Sequence, residues 1–180
     1  MYYAYIINDV LNKCGQAPLI AEGLVNVEIT KTVYDNIDQY IWDVETQQVI
    51  LNPNYEAEQI RAKKDDLNFE NTTKAKAAVE NGYVEYKNAE FETNAQTVGD
   101  LTATMLLMQA SGMESYQWLS KDDQVVELTL NDFGNLGALI AGYKACIWNE
   151  VYIGYKTQIE EAQTMEELNN IVIVYYGVTE

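Results

Sequence analysis

The sequence contains no histidine, so it lacks the side chain that most often acts as a general base or binds a transition metal. A nucleophilic triad would therefore have no base. No glycine-rich phosphate loop and no D-x-D-x-D-G calcium loop occur either. These absences predict a protein that is not an enzyme and that holds no cofactor and no metal ion.

Basic residues are scarce. Lys and Arg number 11 against 28 Asp and Glu, which gives a formal net charge of −17, and Arg61 is the single arginine. Phosphate backbones and anionic membranes are bound by clusters of basic residues, so we expect neither nucleic acid nor membrane as a partner. The sequence has no run of 18 apolar residues and no signal-peptide pattern, and we expect neither a span nor a cleaved leader.

Cysteine is limited to Cys14 and Cys146, too few for a disulfide framework, and both are expected to stay reduced. Cys14 has only Lys13 as a cationic neighbour that could lower its pKa, so we expect an inert thiol. Cys146 falls near the apolar stripe of a long predicted helix, and we expect it in the core.

Adjacent carboxylates are frequent but do not form a candidate site. Three of the four pairs fall on predicted helices, where neighbouring side chains point apart. The fourth pair, Asp122-Asp123, falls in a predicted turn, where Asp bonds to the local backbone. A glycosidase would also need a cleft with a substrate platform. In so short a chain, Trp42, Trp118 and Trp148 are expected to be core anchors instead.

Large apolar side chains are well represented. The 180 residues are 48% hydrophobic and include 14 Tyr, which argues against disorder and for one domain, or a small domain with an appendage. Tyrosine is also enriched at protein interfaces. The Tyr residues near the two ends are hard to bury in one small core, and two readings stay open for them: strand packing or a partner interface.

Residues 1–52 predict a small β module. Residues 2–7 are aromatic and β-branched, and residues 25–29 alternate apolar and polar side chains, as half-buried strands do. A loop around Gly15 and Pro18 is expected between them. Residues 40–43 and 49–51 flank a loop of four to five residues, which predicts a hairpin.

Residues 53–81 predict a connecting helix. Asn52-Pro53 is a helix-start signal, and Gly82 fits a stop at the other end. The run Asn71-Thr72-Thr73 is a weak point at which this helix could break. The apolar stripe is thin and consists of Ile60, Leu67, Ala75 and Val79.

Residues 82–180 predict a second module that starts with a hairpin turning on Lys87-Asn88. A helix ending at Gly112 follows, with capping-box spacing at Thr97, and then a hairpin over residues 117–128. Capping-box spacings at Thr129 and Thr164 open a helix of about thirty residues and a short helix through residue 171. Residues 172–176 fit a strand or an apolar tail.

These elements predict an α+β fold: a small N-terminal β module (1–52), a long connecting helix (53–81) and a C-terminal domain (82–180). The order expected in that last domain is hairpin, helix, hairpin and long helix.

Residues 82–171 resemble the small C-terminal domain, of uncharacterised biochemical function, found in bacteriophage tail proteins and tail-fibre assembly proteins. The resemblance is carried by the tryptophan hairpin, whose strand ends in V-E-L-T, and by the closing run I-E-E-A-Q-T-M-E-E-L. More loosely, Tyr40-Ile41-Trp42 followed by N-P-N-Y-E is similar to the β modules of phage tail proteins. The resemblance covers about half of the chain; the tryptophan hairpin and the closing run are its specific parts, and the rest is generic.

The resemblance implies no catalytic residues. It implies a non-enzymatic tail component that binds the tail fibre or baseplate, or else a fibre assembly chaperone that leaves the mature particle. The expected location is the virion tail, or the host cytoplasm during assembly, and a homo-oligomer is compatible with trimeric fibre partners. For the contact surface we select the aromatic residues of the N-terminal module: Tyr2, Tyr3, Tyr5, Tyr40 and Trp42.

Two other functions stay open. An acidic inhibitor that mimics nucleic acid is suggested by the charge alone, although Lys is interleaved with the acids along the chain. An enzyme that cleaves cell-wall sugars with two carboxylates has no supporting motif.

Overall fold

The computed structural model describes residues 1–175, and it confirms the α+β class with small antiparallel sheets and helices. The chain divides into two compact units, Met1–Arg61 (unit 1) and Ala62–Glu180 (unit 2). Each unit is described on its own below.

Unit 1 is a β module. It contains β1 (Tyr2–Ile7), β2 (Val10–Gly15), β3 (Leu24–Ile29), α1 (Lys31–Asp35), β4 (Tyr40–Asp43) and β5 (Gln48–Leu51). The first three strands form an antiparallel sheet in the order β2-β1-β3, and β4 pairs with β5. The predicted strands 2–7 and 25–29 and the predicted hairpin are confirmed.

Strand β2 corrects the sequence analysis, which assigned residues 10–15 to a loop. Asn8 and Asp9 both have positive φ, 52° and 61°, and this tight turn folds the chain back antiparallel to β1. β1 thus lies between two hydrogen-bonded neighbours, and β2 is a strand because of this pairing rather than its own pattern. Pro18 does lie in the loop that follows.

Helix α2 (Tyr55–Asn81) begins two residues after Pro53. It starts later than predicted because Asn52 first makes a local turn, in which its side-chain oxygen accepts from the Asn54 N–H. The helix runs unbroken through the expected weak point. Asn71 is fully buried there and donates to the Tyr152 carbonyl, so its side chain does not compete for the helix backbone.

Unit 2 continues with two hairpins and a long helix. Its elements after α2 are β6 (Tyr83–Tyr86), β7 (Ala89–Glu92), α3 (Ala95–Ser111), β8 (Ser115–Leu119), β9 (Val125–Thr129), α4 (Leu130–Cys146), α5 (Ile153–Glu161) and α6 (Met165–Asn169). A π-helical segment, Ile147–Tyr152, joins α4 to α5, so the predicted long helix exists with this insertion. Both hairpins are confirmed.

Local signals at several helix ends and turns are also confirmed. Lys87 and Asn88 have φ of 51° and 62°, and Gly112 caps α3 with φ of 68°. Thr129 and Thr164 each form a complete capping box. The predicted capping box at Thr97 is wrong: Asn94 caps α3 by accepting from the Thr97 N–H, so the helix starts three residues earlier than predicted.

The end of the described chain has no regular structure. α6 stops at Asn169, and residues 171–175 form no strand. The expected strand or tail over 172–176 is therefore irregular through residue 175, and residue 176 lies outside the described residues.

The core of unit 2 is assembled from both hairpins and from α3 and α4. Trp118 and Tyr116 pack edge-on against Phe133 at centroid distances of 5.6 and 6.5 Å. The buried cluster comprises Ala89, Phe91, Leu101, Met108, Leu128, Phe133, Leu136 and Ile140. Cys146, expected in this core, is exposed, because it is one residue from Ile147 and so lies about 100° away from the buried stripe.

Gly82 follows α2 as predicted, but for a different reason. Its φ is not positive; instead it is buried where the Tyr143 hydroxyl donates to the Ala78 carbonyl at 3.0 Å. A Cβ at this position would overlap both oxygen atoms. Only glycine allows this close approach.

Gly82→Ala is expected to lower the free energy of unfolding by about 2 kcal/mol, because the added methyl group must displace backbone as well as a side chain. Gly142→Ala is the control: it adds the same methyl group to α4, where nothing lies within 4 Å. We expect this control to be neutral or stabilising by about 0.5–1 kcal/mol. Urea denaturation measures both, and equal stability of the two variants would contradict the close-packing account.

Candidate protein-interaction groove

The aromatic residues selected from the sequence lie on different faces of unit 1. Along β1, Tyr3 and Tyr5 point to one face of the sheet and Tyr2 to the other. The Tyr2 ring packs on Tyr34 of α1, with centroids 4.7 Å apart. Tyr40 and Trp42, two residues apart, share one face of β4. The five residues therefore do not form one continuous surface.

Tyr5 belongs to the packing of unit 1. Its side chain is buried, and its hydroxyl donates to the Ala17 carbonyl at 2.7 Å. The neighbouring loop is fixed by Asn26, whose side chain both accepts from the Leu19 N–H and donates to the Leu19 carbonyl. Since this loop covers Tyr5, we leave that residue out of the proposed contact surface.

Trp42 lines a groove of about 400 Å³ within unit 1. Ile6, Val25 and Val27 also line the groove, and they share one face of the sheet because Ile6 pairs with Val25 and Ala4 with Val27. Val25, the second residue of β3, is 54% exposed. The groove therefore has an apolar floor that water reaches.

The rim of this groove is polar and is built from turns. Asn8, Asp9, Gly23 and Gln47 surround the apolar floor, and all four have positive φ, from 52° to 72°. Tight turns with such φ values leave the backbone little freedom. An apolar floor with a half-buried indole inside a polar, pre-formed rim is the arrangement typical of an interface hot spot.

The groove holds few groups that could do chemistry. Among the described residues that line it, Asp9 is the one carboxylate and none is basic. Among residues 1–175, no group of three Asp, Glu or Cys side chains is placed to hold a metal ion. Burial raises the pKa of the Cys14 thiol, which disfavours the reactive thiolate. Asp122, from the acidic pair in the turn, accepts from the Ser120 hydroxyl, a local side chain rather than the local backbone that was expected.

The comparisons with protein-family models, with curated proteins and with solved structures returned no match. In the part of the chain that the structure describes, no helix is both long enough and apolar enough to cross a membrane.

Sequence reasoning selected Trp42 but missed the rest of the groove. Residues 2–7 and 25–29 were both predicted as strands, yet neither was connected with Trp42. The available signal was the run of turn residues, and it does not reveal which strands pair. The other two tryptophans are half-buried: Trp118 packs on the core, and Trp148 packs on Tyr152 at 5.3 Å.

Proposed function

We propose that this protein works by binding another protein, and that the partner is a tail-fibre or baseplate protein of a bacteriophage tail. The groove around Trp42 is the observation that supports a binding role. The partner class rests on the resemblance of residues 82–171 to tail and fibre assembly proteins. A role without chemistry agrees with the sequence, which has no histidine.

Binding would place an apolar side chain of the partner between Trp42 and Val25. Insertion removes water from both side chains, and the polar rim of turn residues keeps water out around the inserted group. Because the rim is pre-formed, little conformational freedom is lost on binding. Binding to the folded partner alone would also stabilise that partner by mass action.

The first experiment is mass spectrometry of purified mature particles. The chain at stoichiometric level would identify a structural tail component. Its absence from particles, together with co-purification with fibre protein from infected cells, would identify an assembly chaperone that leaves. Absence from particles and from fibre protein alike would overturn the proposed function.

Trp42→Ala is expected to weaken binding to the co-purified partner about thirtyfold, which corresponds to about 2 kcal/mol for the loss of a hot-spot tryptophan. Ile41→Ala is the matched control, because Ile41 is the adjacent residue of β4 and points to the opposite face. Isothermal titration calorimetry measures both. Equal effects of the two substitutions on affinity would show that the groove is not part of the binding interface.

A further inference from the structure

Strand β8 has an unpaired edge. It pairs with β9 alone, and among residues 1–175 no backbone group of Ser115–Leu119 bonds to another element. The edge of β7, by contrast, is occupied: Glu90 accepts from the Lys121 N–H at 2.8 Å, and its own N–H donates to the Asp122 side chain. On the outer side of β9, the Glu127 carbonyl accepts from the Lys87 ammonium.

The edge of β8 carries none of the features that normally prevent strand addition. Its sequence, S-Y-Q-W-L, has no charge and no proline, and its register with β9 contains no bulge. Leu119 is 62% exposed. Such an edge offers free N–H and C=O groups to any extended chain that can approach it.

A groove of about 610 Å³ runs between this edge and α3. Four consecutive residues, from Tyr116 to Leu119, line it. Side chains of a strand alternate between the two faces of the sheet. Four consecutive residues can therefore line the same groove only if that groove follows the backbone edge of the strand. The opposite wall is one stripe of α3, whose members are spaced by three or four residues and are mostly short: Gln96, Thr97, Asp100, Ala103 and Thr104.

The groove is acidic. Glu92 and Asp100 line it, and no Lys or Arg occurs between Lys87 and Lys121. Lys121 lies beyond the end of β8, where it contacts Glu90 at 3.8 Å and the Tyr83 ring. A second copy of this chain would bring the same carboxylates to the edge, and like charges would repel.

We propose that the β8 edge binds an extended, basic segment of a partner protein as an added strand. Its backbone pairs with Ser115–Leu119, about 4.8 Å away as in any sheet. Its Lys or Arg side chains lie near Glu92 and Asp100. This site lies wholly in unit 2, so it does not depend on the groove around Trp42.

The probe is a fluorescently labelled eight-residue peptide of alternating lysine and valine, titrated into the full chain at moderate salt. We expect saturable binding by fluorescence anisotropy and slower amide hydrogen exchange at residues 115–119. A glutamate-valine peptide tests the charge requirement. The lysine-valine peptide with alternate N-methyl amides keeps the charge but cannot pair with a strand, and it should bind at least about tenfold more weakly.

Asp100→Lys is expected to weaken binding of the lysine-valine peptide at least about tenfold. Asp66→Lys makes the same change of charge on α2, outside the groove, and should alter the affinity less than about twofold at moderate salt.

Three results would overturn the proposal: no binding, equal effects of the two lysine variants, or binding without protection of the β8 amides. Dimerisation that protects the same amides without peptide would also overturn it, in favour of self-pairing. None of these outcomes bears on the particle experiment, so failure here is distinguishable from failure of the tail-binding function.

Discussion

Replacing Asp132 with alanine is expected to lower the free energy of unfolding by about 3 kcal/mol. This buried carboxylate completes the capping box of α4, accepting from the Thr129 N–H at 2.8 Å and from its hydroxyl at 2.7 Å. It also accepts from the Lys87 ammonium at 2.7 Å and the Tyr86 hydroxyl at 2.8 Å. One side chain therefore joins the turn of the β6–β7 hairpin to the start of α4, and alanine removes all four bonds.

The effect of Asp132 should depend on pH. The Lys87 ammonium, followed by the N–H and hydroxyl of Thr129, holds the pKa of Asp132 well below its usual range. A carboxyl whose pKa is depressed in the folded state stabilises the fold above its unfolded pKa of about 4, and this contribution is lost as the pH falls through the folded pKa. The stability difference between wild type and Asp132→Asn should therefore be full at pH 7 and shrink below about pH 4.

Urea denaturation at several pH values measures this difference. Asp123→Asn is the control, because it removes a carboxylate that is exposed in the β8–β9 turn and should change stability by less than about 0.5 kcal/mol. A difference between wild type and Asp132→Asn that stays constant from pH 7 to pH 3 would contradict the assigned role of the Lys87 pair.

Replacing Asn71 with leucine is expected to cost about 3 kcal/mol as well, because two buried polar groups lose their partner. The fully buried Asn71 side chain donates to the Tyr152 carbonyl at 3.0 Å and accepts from the Tyr175 hydroxyl at 2.6 Å. Tyr152 ends the π-helical segment, so Asn71 joins α2 to that segment and to the irregular chain after α6.

A double-mutant cycle separates the two bonds of Asn71. Tyr175→Phe removes one of them and should cost about 1 kcal/mol, and in the Asn71→Leu background it should cost clearly less. Burial, with smaller effects from Tyr155 and Tyr152, raises the pKa of Tyr175 to about 12, as expected for a phenol withdrawn from water. Thr73→Ala, at an exposed position of α2, is the control for helix effects. Additive costs would show that Asn71 and Tyr175 act independently.

The sequence alone determined the features whose causes lie within a few residues. The turn at Lys87-Asn88, the capping boxes at Thr129 and Thr164 and the stop at Gly112 each depend on a residue type and its immediate neighbours. Apolar alternation, aromatic and β-branched runs and turn spacing were likewise enough to predict every strand except β2, and with them the α+β class.

Tertiary structure decided everything that depends on a distant partner. Residues 10–15 became a strand because β1 lies beside them, and Asn71 stayed helical because Tyr152 and Tyr175 take up its side-chain bonds. The π-helical segment shows the same dependence. Ile147 and Ile159 are both buried, although two residues twelve positions apart would not lie on the same face of an ideal α-helix.

The candidate sites follow this division. Trp42 could be selected from its residue type, but its groove exists only because turns distant in sequence meet around the face that carries Ile6 and Val25. The acidic groove at β8 likewise depends on which strand edge the fold leaves unpaired, and residue order does not specify that. Local preferences are short-range, whereas pairing and burial are settled only when the whole chain is packed.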